Sequence, residues 1–171
     1  MMRAVLPLLS LLLLPLPLLA APAHQHGQGR VSVVVDGPAL VIELELPQDA
    51  LVGFERPPRT AAEQQAAAAA LARLKDGASL FAPDAAAQCQ LVQAQVQAPV
   101  LEQRGPAVGG HADADASYEF RCAEPAKLRQ LEQRLFEHFR RLERLRVQVV
   151  GPRGQRQLTL QRPARTVPRT P

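Results

Sequence analysis

Residues 31–46 read VSVVVDGPALVIELEL, and this stretch decides the fold. Side chains at alternate positions of a strand point to the same face of a sheet, so a half-buried strand is apolar at every second position. Both halves of the stretch follow this pattern, and the apolar set is Val31, Val33, Val35, Leu40, Ile42, Leu44 and Leu46. Between the halves, Asp36-Gly37-Pro38 is typical of a turn. The stretch therefore predicts a β-hairpin with one buried face.

The same alternation predicts four more strands. Valine or alanine alternates with glutamine from Val92 to about Pro99, while Cys89 and Leu91 have the other parity, which indicates a bulge or bend near residue 91. The clearest strand ends at Cys122, and its inward face is Ala114, Ala116, Tyr118, Phe120 and Cys122. Residues 145–149 and 158–160 form a last pair of strands around a Gly/Pro turn.

Two helices are expected between the strands. Thr60 and Glu63 have the spacing of a capping box, and the helix they open runs to about Asp76, where Gly77 ends it. A second helix is expected to begin near Pro125. Its apolar residues at helical spacing are Leu128, Leu131, Leu135, Phe139 and Leu142. The order ββ-α-ββ-α-ββ indicates an α+β domain, with an antiparallel sheet of about six strands and two helices on one face.

The chain begins with the three parts of a signal peptide. These are the positive Arg3, the apolar run from Leu6 to Leu19, and the small residues Ala21-Pro22-Ala23 of a cleavage site. We expect residues 1–23 to be removed, residues 24–162 to form one domain, and the Pro/Arg/Thr-rich residues 163–171 to be a disordered tail. No second apolar stretch reaches membrane-spanning length, so we expect an exported protein with no stable membrane insertion after cleavage.

The chain has two cysteines, Cys89 and Cys122. An even pair in an exported chain favours a disulfide, and a metal site with two cysteine ligands is the alternative. Closing a loop of this size would stabilise the fold by about 3–4 kcal/mol in the chain-entropy model. Because no CxxC motif is present, we do not expect redox catalysis.

Charge and motifs exclude two classes of function. The net charge of +4 is modest, the arginines are scattered, and few aromatic residues are available for stacking, so we expect no nucleic-acid partner. The chain has no GxSxG, HExxH or glycine-rich phosphate loop, and no serine after the signal peptide lies beside a histidine in sequence. We therefore do not expect an enzyme.

The histidines favour metal binding instead. In the segment His111-Ala112-Asp113-Ala114-Asp115, strand alternation places His111, Asp113 and Asp115 on one polar face if the strand extends back to His111, with successive Cα atoms about 6.5–7 Å apart. Imidazole and carboxylate groups both suit zinc. Adjacent glycines at Gly109-Gly110 permit a kink that would let these side chains converge.

His24 and His26 lie at the predicted mature N-terminus, where the sequence leaves three readings open. Cleavage after Ala23 would leave His-Gln-His, whose amine, amide nitrogens and third-position imidazole form a tetragonal set that suits Cu(II) or Ni(II). Alternatively, the two imidazoles bind a zinc ion shared with another part of the protein. In the third reading, the segment is a polar N-terminus without metal.

Several motifs occur together in an order that resembles the ZrgA-like family of bacterial periplasmic zinc-binding proteins. They are His24-Gln25-His26-Gly27, Leu51-Val52-Gly53-Phe54-Glu55 with Pro58-Arg59-Thr60, His111-Ala112-Asp113 with Tyr118-Glu119-Phe120-Arg121-Cys122, and Leu135-Phe136 followed by Val147-Gln148-Val149-Val150. The resemblance covers about residues 24–160. It implies a soluble periplasmic protein, accessory to zinc uptake, that binds zinc through histidines and passes it to a metal transport system of the inner membrane.

The resemblance also implies the metal ligands. His24, His26 and His111 correspond to family positions, together with Asp113. Two departures remove ligands, because family members often carry a long His/Asp-rich insert before the position of His111 and a histidine where this chain has Arg56. A single zinc site of three or four ligands is therefore the expectation. The alternatives are an exported interaction or structural domain without metal, and an N-terminal copper site.

Overall fold

A computed structural model of the chain describes residues 26–103 and 112–169. The predicted signal peptide, His24 and His111 lie outside the described residues. The strands are β1 (Gln28–Asp36), β2 (Ala39–Pro47), β3 (Phe81–Pro83), β4 (Cys89–Gln97), β5 (Asp113–Cys122), β6 (Gln130–Gln133), β7 (Arg144–Gly151), β8 (Gly154–Gln161) and β9 (Thr166–Pro168). The helices are α1 (Gln48–Val52), α2 (Ala61–Lys75), α3 (Gly77–Leu80) and α4 (Leu135–His138).

Six strands form one sheet in the order β4-β5-β2-β1-β7-β8. The predicted hairpin is confirmed: β1 pairs antiparallel with β2, and Val33 lies opposite Ile42. The prediction of an antiparallel sheet is wrong at one place, because β1 pairs parallel with β7. These two strands are separated by most of the chain, and a long crossover allows either direction. Alternation of apolar residues indicates which face a strand buries, but it carries no information about strand direction.

The second predicted helix, from Pro125 to Leu142, is wrong. Its apolar residues are all buried, but the chain reaches them through a 3-10 turn, the short strand β6 and the single turn α4. The Asp84 carboxylate accepts hydrogen bonds from the backbone nitrogens of Arg129 and Gln130, and strand pairing then continues the path of the chain. Apolar residues at helical spacing must be buried, and here a backbone path other than a helix buries them.

A second, three-stranded sheet of order β3-β6-β9 was not predicted. It includes residues that composition assigned to a disordered tail, and this is a further correction. Val167 in β9 is buried and pairs with Leu131, and the backbone nitrogen of Arg169 donates to the carbonyl of Arg129. The burial of Val167 and these backbone hydrogen bonds stabilise a strand here, although the segment is rich in Pro, Arg and Thr.

The core lies between one face of the large sheet and a layer made of α2, α3 and the small sheet. The capping box of α2 is confirmed, since Thr60 Oγ1 accepts from the Glu63 nitrogen and the Glu63 carboxylate accepts from the Thr60 nitrogen. Tyr118, fully buried in β5, donates its hydroxyl to the Leu74 carbonyl of α2 at 2.7 Å. Within the described ranges, the structure contains no helix with the length and apolar character needed to cross a membrane.

The disulfide between Cys89 and Cys122 is confirmed. The two residues are directly opposite in the pairing of β4 with β5, with Cα atoms 3.8 Å apart. The predicted bulge is also present, since the register of this pair shifts between Leu91 and Gln93. The bond therefore ties the edge strand β4, which is mostly exposed, to the buried strand β5.

Candidate metal site

The corner between β2 and α1 builds the candidate site. Strand β2 continues directly into α1 at Pro47, so the first turn of α1 begins where the strand ends and carries Asp49. Gly53 ends α1 in the left-handed conformation, with φ of 88°, and its nitrogen donates to the Asp49 carbonyl at 2.8 Å. Left-handed backbone is characteristic of glycine at a helix C-terminus. This turn reverses the chain and returns the next residues, which include Glu55, towards Asp49.

Gln48 holds this corner together. Its side chain is buried, which is unusual for an amide, and its groups find partners in two other segments. The backbone nitrogen donates to the Ala112 carbonyl at 2.7 Å, at the start of β5. Side-chain Nε2 donates to the Arg56 carbonyl, also at 2.7 Å. Gln48 therefore fixes the loop that presents Glu55 relative to the helix that presents Asp49.

His26 approaches these carboxylates from the chain ahead of β1. Its Nδ1 lies 2.7 Å from Asp49 Oδ2 and 3.8 Å from Glu55 Oε1. The position of His26 is set by Gly27, whose carbonyl accepts from the backbone nitrogens of Glu143 and Arg144 beside β7. One ligand atom from each of His26, Asp49 and Glu55 lies within 4.8 Å of the others, and we call these three residues the triad.

The electrostatics of the triad suit a cation. The hydrogen bond from His26 to Asp49, together with the charges of Asp49 and Glu55, raises the pKa of the His26 imidazole. Asp49 Oδ1 is buried and has no hydrogen-bond donor among the described residues. An unpaired buried carboxylate oxygen is costly unless a positive charge compensates it. One imidazole and two carboxylates form a donor set that zinc accepts, so the residues present fit the ion.

The structure brings together only part of the predicted ligand set. His26 belongs to the triad, whereas His24 and His111 lie outside the described residues. Asp113 is the first residue of β5, opposite Pro47 in the sheet, and is not a member of the triad. Ala112, the residue after His111 in sequence, contacts Gln48 through its carbonyl, so the described end of that segment lies at the same corner.

Sequence reasoning missed Asp49 and Glu55 as ligands. Neither residue belongs to a histidine-containing segment, and they lie 6 positions apart on either side of a turn. One signal was available, because Glu55 ends the string Leu51-Val52-Gly53-Phe54-Glu55, one of the motifs on which the family resemblance rests. Asp49 had no comparable signal, because an acidic residue in the first turn of a helix is common for helix-dipole reasons alone.

Arg56, next to Glu55, is directed away from the triad. Its guanidinium forms a two-pronged ion pair with the Glu63 carboxylate, with Nη1 and Oε2 3.0 Å apart, and lies over the Phe54 ring. This ion pair and the backbone donors of Arg59 and Thr60 lower the pKa of Glu63 to about 2. Arg56 therefore clamps the loop after α1 to the N-terminus of α2.

A concavity of about 980 Å³ lies elsewhere, on the open polar face of the large sheet. Glu45 and Asp115 are directly opposite there, and burial together with the charge of Glu45 raises the pKa of Asp115. None of the described residues that line it is a histidine. This surface therefore contributes no ligand to the triad.

Comparison with known protein families finds a match over most of the chain. The sequence model described as "ZrgA family zinc uptake protein" matches residues 23–168. This range covers most of the chain and includes the triad and both cysteines. No curated protein matches the chain.

Proposed function

Because the chain belongs to the ZrgA family of zinc uptake proteins, we propose that it is a periplasmic zinc-binding protein accessory to zinc uptake. The proposed role is to bind and release the metal ion and not to catalyse a reaction. The single observation that supports zinc binding at a defined place is the triad, with a buried, donor-free oxygen on Asp49. In this proposal zinc is the cargo, and His26, Asp49 and Glu55 hold it.

The exposure of the triad supports exchange of the ion. The His26 side chain is 77% exposed and that of Glu55 47%, whereas that of Asp49 is only 19% exposed. Structural zinc sites are closed by four protein ligands, while three protein ligands leave a coordination position open. In the proposal, Asp49 is the anchoring ligand, and His26 and Glu55 engage and release. The predicted ligands His24 and His111 are proposed as additional donors from the neighbouring segments.

Zinc titration tests the proposal. Metal-free protein, purified after export, is titrated with zinc by calorimetry, alone and as His26→Gln, Asp49→Asn and Glu55→Gln. We expect each variant to lose at least about tenfold in affinity, because even the loss of a residue that only orients a ligand costs about 10–100-fold. Matched controls are His138→Gln and Glu124→Gln, which change the same residue types outside the triad. Wild-type affinity no tighter than micromolar, or equal losses in variants and controls, would reject the proposal.

Export and the N-terminal alternative are tested together. Mass spectrometry of the protein from the periplasmic fraction should give a chain that begins at His24, and a chain retaining residues 1–23 would contradict cleavage. Adding Cu(II) to this protein tests the tetragonal N-terminal site. If that site forms, one extra alanine before His24 removes the d–d absorption band. We expect zinc affinity to be unchanged by the same insertion, because the triad does not use the α-amine.

A further inference from the structure

A groove of about 650 Å³ runs along the exposed side of α2, between that helix, α1 and the segment that follows α4. Apolar side chains line part of it, namely Ala50, Leu51 and Val52 from α1 and alanines from one face of α2. The α2 residues that line it are Ala62, Gln65, Ala66, Ala69 and Arg73. From Ala62 to Arg73 the helix rises by about 16 Å, so the groove accommodates about three helical turns of another chain.

The rim of the groove is positively charged. It carries Arg73, Arg140 and Arg141, all exposed, and none of them forms an ion pair with another described residue. The acidic lining residue is Glu137, whose carboxylate is already paired with Arg165 at 2.9 Å. Three exposed arginines without a carboxylate partner therefore lie beside the apolar side chains of α1 and α2.

The arginine-bearing backbone is held in a fixed conformation. Arg162 donates from its guanidinium to the carbonyls of Phe136, Phe139, Arg140 and Leu142, at 2.6–3.1 Å. A charged donor that serves several carbonyls makes strong hydrogen bonds. The main chain under Arg140 and Arg141 is thus fixed, while their side chains extend from it without ion-pair partners. Such pre-organisation reduces the entropy cost of binding a partner.

The groove adjoins the triad through Arg141. A Cβ atom built on Gly53 would lie 2.7 Å from the Arg141 guanidinium carbon, so this guanidinium packs directly on the end of α1. A Cβ atom built on Gly27, next to His26, would lie 3.0 Å from the Arg141 carbonyl oxygen. Arg141 therefore contacts the end of α1 and the segment that carries His26, which meet at the triad. One end of the groove lies beside the triad.

We propose that this groove binds an acidic, amphipathic segment of a partner protein. Apolar side chains of the segment cover Leu51, Val52 and the α2 alanines, and its carboxylates pair with Arg73, Arg140 and Arg141. Because the groove ends beside the triad, a bound segment places carboxylates next to the zinc position. This consequence for zinc exchange rests on the proposed function, but docking itself requires no zinc.

Peptide binding to metal-free protein tests the docking surface. The probe is a fluorescein-labelled helical peptide of about 12 residues, with leucine on one face and glutamate on the other, followed by fluorescence anisotropy. A peptide with lysine in place of glutamate is the reference. We expect saturable binding of the acidic peptide only, weakening as NaCl rises from about 50 to 300 mM because exposed charges are screened. Equal binding of both peptides, or none, overturns the proposal.

Variants locate the binding. Arg140→Gln with Arg141→Gln should weaken the acidic peptide by at least about tenfold, and Ala66→Trp, which fills the groove and leaves the charges intact, should do the same. The matched control is Arg146→Gln with Arg156→Gln, two exposed arginines outside the groove. Losses in the control equal to those in the groove variants would contradict the assignment. A second result would also contradict the assignment. In that result the protein binds phosphatidylglycerol vesicles through the groove arginines and does not bind the peptide.

The two proposals fail separately. Asp49→Asn should abolish tight zinc binding and leave peptide affinity unchanged. If zinc binding fails and the peptide still requires Arg140 and Arg141, the groove stands without the zinc function. If zinc binds at the triad and the acidic peptide does not bind, the groove proposal is wrong and the zinc proposal is untouched.

Discussion

Gln48 Nε2 lies 2.7 Å from the carbonyl oxygen of Arg56, and this hydrogen bond connects the helix that carries Asp49 to the loop that carries Glu55. The donor is fully buried, and the Gln48 backbone nitrogen also binds the Ala112 carbonyl. One residue thus fixes the mutual position of two triad members without being a ligand. This polar contact adds to the constraint from the short helix α1, which has only five residues.

Replacing Gln48 with leucine should therefore affect both stability and zinc affinity. The substitution removes the donor and leaves the Arg56 carbonyl without its partner, which costs about 1–3 kcal/mol. We expect a lower free energy of unfolding in urea and a weaker zinc affinity in calorimetry. Gln90→Leu, on the exposed side of β4, is the control. A Gln48 variant that unfolds like the wild type would show that the contact is dispensable.

The ion pair of Glu63 with Arg56 should make stability depend on pH in the acid range. The pKa of Glu63 is lowered from 4.5 to about 2 in the folded protein, so the folded state favours the carboxylate. This contribution is fully present above pH 4.5 and is lost as pH falls towards 2. The melting temperature of Glu63→Gln should therefore lie below that of the wild type at pH 7 and approach it near pH 2. A constant difference across this range would contradict the assignment.

Arg162 should tolerate neither alanine nor lysine. Its guanidinium donates to carbonyls of α4 and of the residues that follow it, and a lysine ammonium is a point charge that cannot reproduce the planar fork. We expect Arg162→Lys to destabilise the protein by about 1.5–3 kcal/mol, in line with loss of charge-assisted hydrogen bonds to partly buried carbonyls. Arg156→Lys on the exposed β8 strand should change little. Chemical unfolding monitored by circular dichroism measures both.

The Tyr118 ring packs so closely on Gly77 that it leaves no room for a side chain there. A Cβ atom at this position would lie 2.3 Å from Tyr118 Cδ1, closer than atoms can pack, and the ring is fixed by its hydroxyl bond to Leu74. We expect Gly77→Ala to cost about 1–3 kcal/mol, as other overpacking substitutions do. Gly37 is the comparison, because its Cβ would meet open space and asparagine tolerates its positive φ. Thermal unfolding of Gly37→Asn should resemble that of the wild type.

The fold could be predicted from sequence where local rules decide it. The hairpin of β1 and β2, the capping box at Thr60 and the inward face of β5 follow from side-chain alternation and capping chemistry, which act over a few residues. The cysteine pairing followed from there being two cysteines in a chain expected to be exported. Leu131 and Leu135 were correctly expected to be buried, but the backbone that buries them was assigned to the wrong element.

By itself, the sequence determined the hairpin and the capped helix α2, favoured the disulfide over a two-cysteine metal site, and carried the resemblance to a zinc-related family. Only the tertiary structure decided that β1 and β7 run parallel, that β6 and β9 pair, and that His26, Asp49 and Glu55 meet. The reason is the range of the interactions involved. Alternation and capping depend on neighbours a few residues apart, whereas strand direction and the triad depend on contacts between segments that come together only in the folded chain.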